Sequence, residues 1–234
     1  MSQYYIKKKI FIHKKNLKTT LQEEIIMSEN CLNIMDLSLK EIERNISNLN
    51  LIVKNQEEEI CEFRDILLDA KENNSRVFLF GTGRSGFVAK SFAMRLMHLG
   101  FEVCVIGESI VNALKKDDVV IAITKSGTRN SIKRLVETKD EFNTRLLSVC
   151  GCRDNNLYER SDKSIVIDEL KDIKRSEDEK TRLDELSFDE DNLIVMGTAF
   201  EISTLVLLDS LIIELMLCLD ETPECMEARH DKFN

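Results

Sequence analysis

The chain has 234 residues, 43% of them hydrophobic, which suits one domain of ordinary size with appendages and excludes a wholly disordered polymer. Its net charge of -9 argues against broad nucleic-acid binding, which needs clustered cations, but leaves room for a few local donors around one phosphate. Seven cysteines without a CxxC pair, together with three histidines, exclude a disulfide framework and predict no metal site. Reduced cysteines and the absence of a secretory signal place the protein in the cytoplasm as an expectation.

Residues 1–35 are expected to form a basic extension, with Lys7, Lys8, Lys9, Lys14, Lys15 and Lys18, and its apolar stretches are too short for a signal-peptide core. A solvated arm is the expectation there, and nucleic acid is not the expected partner. The main domain is expected over 36–234. From Asp36 to about Asn73, apolar residues such as Leu37, Ile42, Ile46, Leu49, Ile52, Ile60, Phe63 and Leu67 recur at helical spacing. One bent helix or two helices with a break near Asn55 fit equally. Glu57, Glu58 and Glu59 read as a solvated face.

At Val77-Phe78-Leu79-Phe80 the pattern changes to a continuous apolar run, as in a buried parallel strand. A helix is predicted from Gly86 to Leu99, ending at Gly100. Val103–Ile106, Val119–Ile123, Leu146–Val149 and Ile165–Ile167 read as further strands, with a helix from about Asn130 to Asp140 between two of them. Alternating strands and helices predict an α/β sandwich built on an open parallel sheet. Between Asp168 and Asp191 lie eleven acidic and five basic residues, expected to form an exposed loop or a short charged helix. Gly197–Leu219 is a strongly apolar helix, and its longest apolar run, Leu211–Leu219, is interrupted by Glu214 and too short to span a bilayer. Pro223 starts a short final helix.

Two turns carry the chemistry. Gly81-Thr82-Gly83-Arg84-Ser85-Gly86 lies between a buried strand and a helix, where glycines permit close backbone approach and the helix offers unpaired amides to an anion. Taken alone it fits a phosphate cradle and a simple tight turn equally well. Thr124-Lys125-Ser126-Gly127-Thr128-Arg129 repeats the arrangement at another strand end, with hydroxyls and amides suited to a phosphate dianion. Together they define one crevice at the carboxyl ends of parallel strands. Glu201, at the start of the long apolar helix, is either a dipole partner or an acid-base group. His230 is either a surface histidine or a proton carrier.

The stretch Phe78–Gly100, FLFGTGRSGFVAKSFAMRLMHLG, closely resembles archaeal 6-phospho-3-hexuloisomerases of the sugar isomerase (SIS) superfamily. The similarity continues through Gly107-Glu108-Ser109, the turn ending at Arg129, Met196-Gly197-Thr198-Ala199-Phe200-Glu201 and Arg229-His230. The resemblance implies a three-layer α/β/α sandwich with a five-stranded parallel sheet of flavodoxin-like order, preceded by N-terminal helices. It implies a homotetramer with active sites near subunit boundaries, a phosphorylated hexulose as substrate, and no cofactor or metal. By the same resemblance Glu201 would be the base, and His230 would match the family's C-terminal histidine, aiding proton transfer between oxygens in its own or a neighbouring subunit. Ser85, Thr124, Lys125, Ser126, Gly127, Thr128 and Arg129 would hold the phosphate, and Arg84 would either orient the sugar or brace the turn. His98 is expected to serve packing or the helix end.

Three features depart from the family pattern. Its second phosphate turn usually reads Ser-Gly-Ser-Gly-x-Thr, where this chain has Lys125 for a glycine and Arg129 for the final threonine. Arg129 then either supplies a cation to the phosphate or points away. The acidic segment at about 168–191 is longer than usual, and the basic arm has no counterpart.

Overall fold

The computed structural model describes residues 33–168, 174–195 and 197–230. The basic arm at 1–32 lies outside the described residues. By its internal contacts the chain divides into two compact units, Met1–Glu43 with Asp172–Val195, and Arg44–Lys171 with Met196–Asn234.

The larger unit holds β1 (Val77–Gly81), β2 (Val103–Val105), β3 (Val119–Thr124), β4 (Arg145–Cys150) and β5 (Lys163–Val166). All pair in parallel, in the order β2-β1-β3-β4-β5. Successive side chains along a strand point to opposite faces, and here both faces are buried. On one face Val77, Leu79, Ile121, Ile123, Leu147, Val149 and Ile165 meet Phe63, Leu67, Phe92, Leu96, Phe200, Leu208 and Leu215. These come from the helices α3 (Glu57–Glu72), α4 (Arg84–His98) and α8 (Thr198–Cys218). On the other face Phe78, Val120, Ala122 and Leu146 meet α5 (Asn130–Phe142) and α6 (Asn156–Arg160) through Ile132, Leu135, Val136 and Leu157. The expected three layers are therefore present, with the sheet in the middle.

The N-terminal helical stretch is broken into α1 (33–47), α2 (Leu49–Asn55) and α3, the last break falling at Gln56. The break has a purpose. The Gln56 side-chain amide donates to the Val166 carbonyl at 2.7 Å and accepts from the Val166 amide at 2.8 Å. One buried side chain thus pairs the edge strand β5 as a neighbouring strand would, closing an edge that otherwise invites pairing with another chain.

At the amino ends of the central strands, the Arg76 guanidinium forks onto the Asp118 carboxylate, from Nε at 3.1 Å and from Nη2 at 2.5 Å. Both side chains are buried, and Asp118 also accepts from the Lys115 amide at 2.7 Å. The attraction to Asp118 holds Arg76 more firmly protonated than usual. The last helix α9 (Pro223–Ala228) starts with its proline at the first helical position. Beyond it, Arg229 donates to the His98 carbonyl at 2.9 Å and pairs with Glu221, satisfying a carbonyl at the α4 C-terminus with a cation.

In the smaller unit the acidic segment forms a short charged helix, one of the two expected alternatives, and adds a small core of its own. Helix α7 (Glu177–Leu186) begins with a reciprocal capping box between Ser176 and Glu179. Leu183 is buried with Leu37 and Leu193, and Arg175 pairs with Glu41 at 3.0 Å, both largely buried. Apolar residues separated by some 150 positions supply this core, which is why local charge density concealed it. Among the described residues no helix is long and apolar enough to cross a membrane.

Candidate active site

A cavity of about 860 Å³ opens at the carboxyl ends of the strands, where the sheet order reverses between β1 and β3. It is lined by Thr82 and Gly83 after β1, by Thr124 and the turn after β3, by Gly151 and Cys152 after β4, and by Asp168 after β5. The helices α4, α5 and α8 all begin at its wall. Their caps are Gly83, Arg129 and Gly197, and none of these makes a side-chain capping bond. By contrast α6, α7 and α9 are capped by Asn155, Ser176 and Thr222. Three helix N-termini with uncapped amides therefore face one cavity, and such termini attract negative charge.

The first turn is built around a close approach. A Cβ on Gly81 would stand 2.6 Å from the Ser85 carbonyl oxygen, and one on Gly86 would stand 2.9 Å from the Gly81 oxygen. Only glycines allow β1 and α4 to meet this tightly. Ser85, at the second position of α4, is buried and lines the cavity. Its neighbour Arg84 reaches across to α8, where its Nε donates to Glu201 Oε2 at 2.6 Å. The Arg84 side chain is 59% exposed and that of Glu201 only 12%. Glu201 thus presents a carboxylate to the cavity from the first turn of α8.

The second turn is held from β4. Gly127 has φ +66°, and a Cβ there would collide with Asn155 Oδ1 at 2.3 Å. Asn155 is itself fixed, accepting from the Tyr158 amide at 2.9 Å and donating to the Cys152 carbonyl at 2.8 Å. The Gly151 amide donates to the Lys125 carbonyl at 2.9 Å. Arg129 is turned toward the first turn, its Nη1 donating to Thr82 Oγ1 at 3.1 Å. Arg129 lines the cavity in this position.

The expected residues Arg84, Ser85, Thr124, Lys125, Ser126, Arg129 and Glu201 all line this cavity. Gly127 and Thr128 are not among the lining residues: Gly127 is buried, and the hydroxyl of the exposed Thr128 donates to Ser126 Oγ at 3.1 Å. His230 lies elsewhere in the protomer. Its ring packs on His98 with centroids 5.0 Å apart, in a second cavity of about 400 Å³ with Arg95, Asp209 and Glu227. Arg84 and His98 are the two ends of α4, 14 residues apart, or about 21 Å at the helical rise. Within one chain His230 therefore does not join Glu201. The cause is the Arg229 anchor, which ties the chain to the far end of α4.

Sequence reasoning missed Asp168 at the cavity and Asn155 behind the second turn, and left Cys152 as either a reactive thiol or a strand-end residue. Asp168 was hidden in the acidic run. Asn155 carried a legible signal, an asparagine just before a helix that begins Asn156-Leu157. Cys150, beside Cys152, is a buried thiol pushed up to about 11 by its burial, which suits a packing residue rather than a nucleophile. Among the described residues no cluster of His, Cys, Asp or Glu is arranged to hold a metal ion.

Comparison with known proteins places these features in a family. Residues 70–176 match the SIS domain. The chain is 34% identical over 161 residues to a 3-hexulose-6-phosphate isomerase of Methanocaldococcus jannaschii, covering 68% of this chain and 78% of that one. A solved structure of a hypothetical protein from Methanococcus jannaschii, reported to infer a molecular function of 3-hexulose-6-phosphate isomerase, superposes with a TM-score of 0.65. That pair is 29% identical over 84% of this chain and 98% of the other. An uncharacterized HTH-type transcriptional regulator of Clostridium perfringens is 25% identical over 65% of this chain and 50% of its own length. With the parallel sheet, the paired turns and a relative above 30% identity matched over most of its length, the chain belongs to the sugar isomerase (SIS) domain family.

Proposed function

We propose that this protein interconverts 3-hexulose 6-phosphate and fructose 6-phosphate. The observation that carries the reading is a carboxylate, Glu201, set in a cavity whose wall holds three uncapped helix N-termini. In this reading the phosphate lies against the α4 and α5 termini, held by Ser85, Thr124, Ser126 and the amides of both turns, with Lys125 and Arg129 adding positive charge. Gly127 and Thr128 shape the second turn. Glu201 takes the proton from C2, and the electron pair forms the C2–C3 double bond of an enediolate whose negative charge rests on the C3 oxygen. The proton returns at C3, the C2 hydroxyl gives up its proton, and the carbonyl appears at C2. No metal or organic cofactor enters these steps. The proton transfer between oxygens is assigned to His230 delivered by a neighbouring subunit of a homotetramer, since its own chain holds it at the far end of α4. The enzyme would work in the cytoplasm, where its phosphosugar substrate resides.

The test is direct. Conversion of 3-hexulose 6-phosphate to fructose 6-phosphate is followed in a coupled assay for the wild type and Glu201→Gln. The variant should lose about 10²–10⁴-fold in rate, the usual contribution of a general base. An unchanged rate in the variant would remove Glu201 from the mechanism. The likeness to a transcriptional regulator favours a second reading, a sensor that binds a phosphosugar without turning it over. Tight binding with no turnover in the wild type selects it.

A further inference from the structure

Helices α4 and α5 share an electrostatic conflict. Neither has an acidic residue in its first turn, and each starts with an arginine, Arg84 at the first position of α4 and Arg129 at the cap of α5. A cation at the positive end of a helix dipole is unfavourable, as an anion there is favourable. Each arginine is drawn to a partner across the cavity: Arg84 holds Glu201 at 2.6 Å, and Arg129 holds Thr82 at 3.1 Å. Thr82 lies two residues before Arg84, so the two contacts act on the same short turn. The contact with Glu201 occupies one oxygen of a carboxylate whose side chain is 12% exposed.

We propose that Arg84 is a latch on Glu201, and that a phosphate dianion at the two helix N-termini releases it. The dianion offers Arg84 and Arg129 a stronger partner than Glu201 or Thr82, because it also receives the uncapped amides. Drawing Arg84 to the phosphate uncovers the carboxylate. The phosphate of the substrate then does more than bind: it switches the carboxylate on, and an unphosphorylated sugar meets a covered one. The part of this inference that concerns catalysis rests on the isomerase reading. The part that concerns the latch does not.

The latch is tested without turnover by titrating inorganic phosphate into four proteins in a calorimeter: wild type, Glu201→Gln, Arg84→Gln and the double variant. Glu201→Gln should bind phosphate about 3–10-fold more tightly, since Arg84 no longer has to be taken from its partner, and the gain should vanish when Arg84 is also replaced. Asp168→Asn, which removes another negative charge from the same cavity without touching Arg84, controls for simple repulsion. Equal gains in the presence and absence of Arg84, equal gains in Asp168→Asn and Glu201→Gln, or no phosphate binding by any variant would overturn the latch. The catalytic arm adds phosphite to unphosphorylated 3-hexulose. Phosphite should raise turnover at least tenfold in the wild type and less than twofold in Arg84→Gln. A wild type that converts 3-hexulose 6-phosphate yet gains nothing from phosphite refutes the switch. A wild type inactive on 3-hexulose 6-phosphate refutes the isomerase reading instead, and leaves the calorimetric cycle to decide the latch.

Discussion

Replacing Gly127 by alanine should damage the second turn by two separable routes. Its φ of +66° lies in the left-handed region, which costs an ordinary residue about 1–2 kcal/mol. The added Cβ would also fall 2.3 Å from Asn155 Oδ1, so the asparagine must leave the place from which it caps α6. Loss of such a cap costs about 1 kcal/mol, giving roughly 2–3 kcal/mol in all. For a chain of this size each kcal/mol moves Tm by about 2–4 °C, so Gly127→Ala should melt roughly 4–12 °C lower. Urea unfolding of Gly127→Ala, Asn155→Ala and the double variant separates the two routes. With Asn155 already truncated the collision is gone and the cap already lost, so the second substitution should add only the backbone strain, about 1–2 kcal/mol. Additive effects, or a Gly127→Ala protein within 0.5 kcal/mol of the wild type, would refute the account.

Two other substitutions probe parts of the fold remote from the cavity. Asp118→Ala strands the buried Arg76 guanidinium and frees the Lys115 amide, and should cost about 3–5 kcal/mol in urea unfolding, whereas breaking an exposed pair such as Lys180 with Glu177 should leave the urea midpoint almost unchanged. His98 is buried at the end of α4, and burial, the His230 ring and the Arg95 charge push its imidazole below the usual 6.5. The unfolded chain then binds the proton more readily than the folded one, so the stability tied to neutral His98 is present above about pH 6.5 and lost as the pH falls below it. His98→Gln should flatten the decline in urea midpoint between pH 7.5 and 5.5, and an unchanged decline would clear His98 of the effect.

The parallel sheet was legible because its strands are continuous apolar runs ended by glycine or hydroxyl turns, and Val77–Gly81 and Val119–Thr124 lie within a residue or two of where the pattern put them. The cavity was legible for the same reason, since a turn at a strand end needs its own local chemistry. What escaped notice depends on residues distant in the chain. Leu37, Leu183 and Leu193 make a core that neither stretch announces alone. Gln56 interrupts a helical run because it pairs with Val166, more than a hundred residues away. Arg129 was ambiguous until Thr82 gave it a direction. Which subunit's His230 would serve Glu201 stayed open, because a motif list says nothing about which end of a 15-residue helix each residue occupies.

The helix ends left without side-chain caps carry a consequence for the protein's lifetime. In the proposed reading these amides receive the phosphate, and an anion that binds only the folded form raises its stability by RT ln(1 + [L]/Kd), about 2.7 kcal/mol at a hundredfold excess over Kd. Degradation that acts through opened chains would then slow whenever the ligand is plentiful. Abundance of the protein would track abundance of what it binds, with no gene switched on or off, as a property of three unfinished helices.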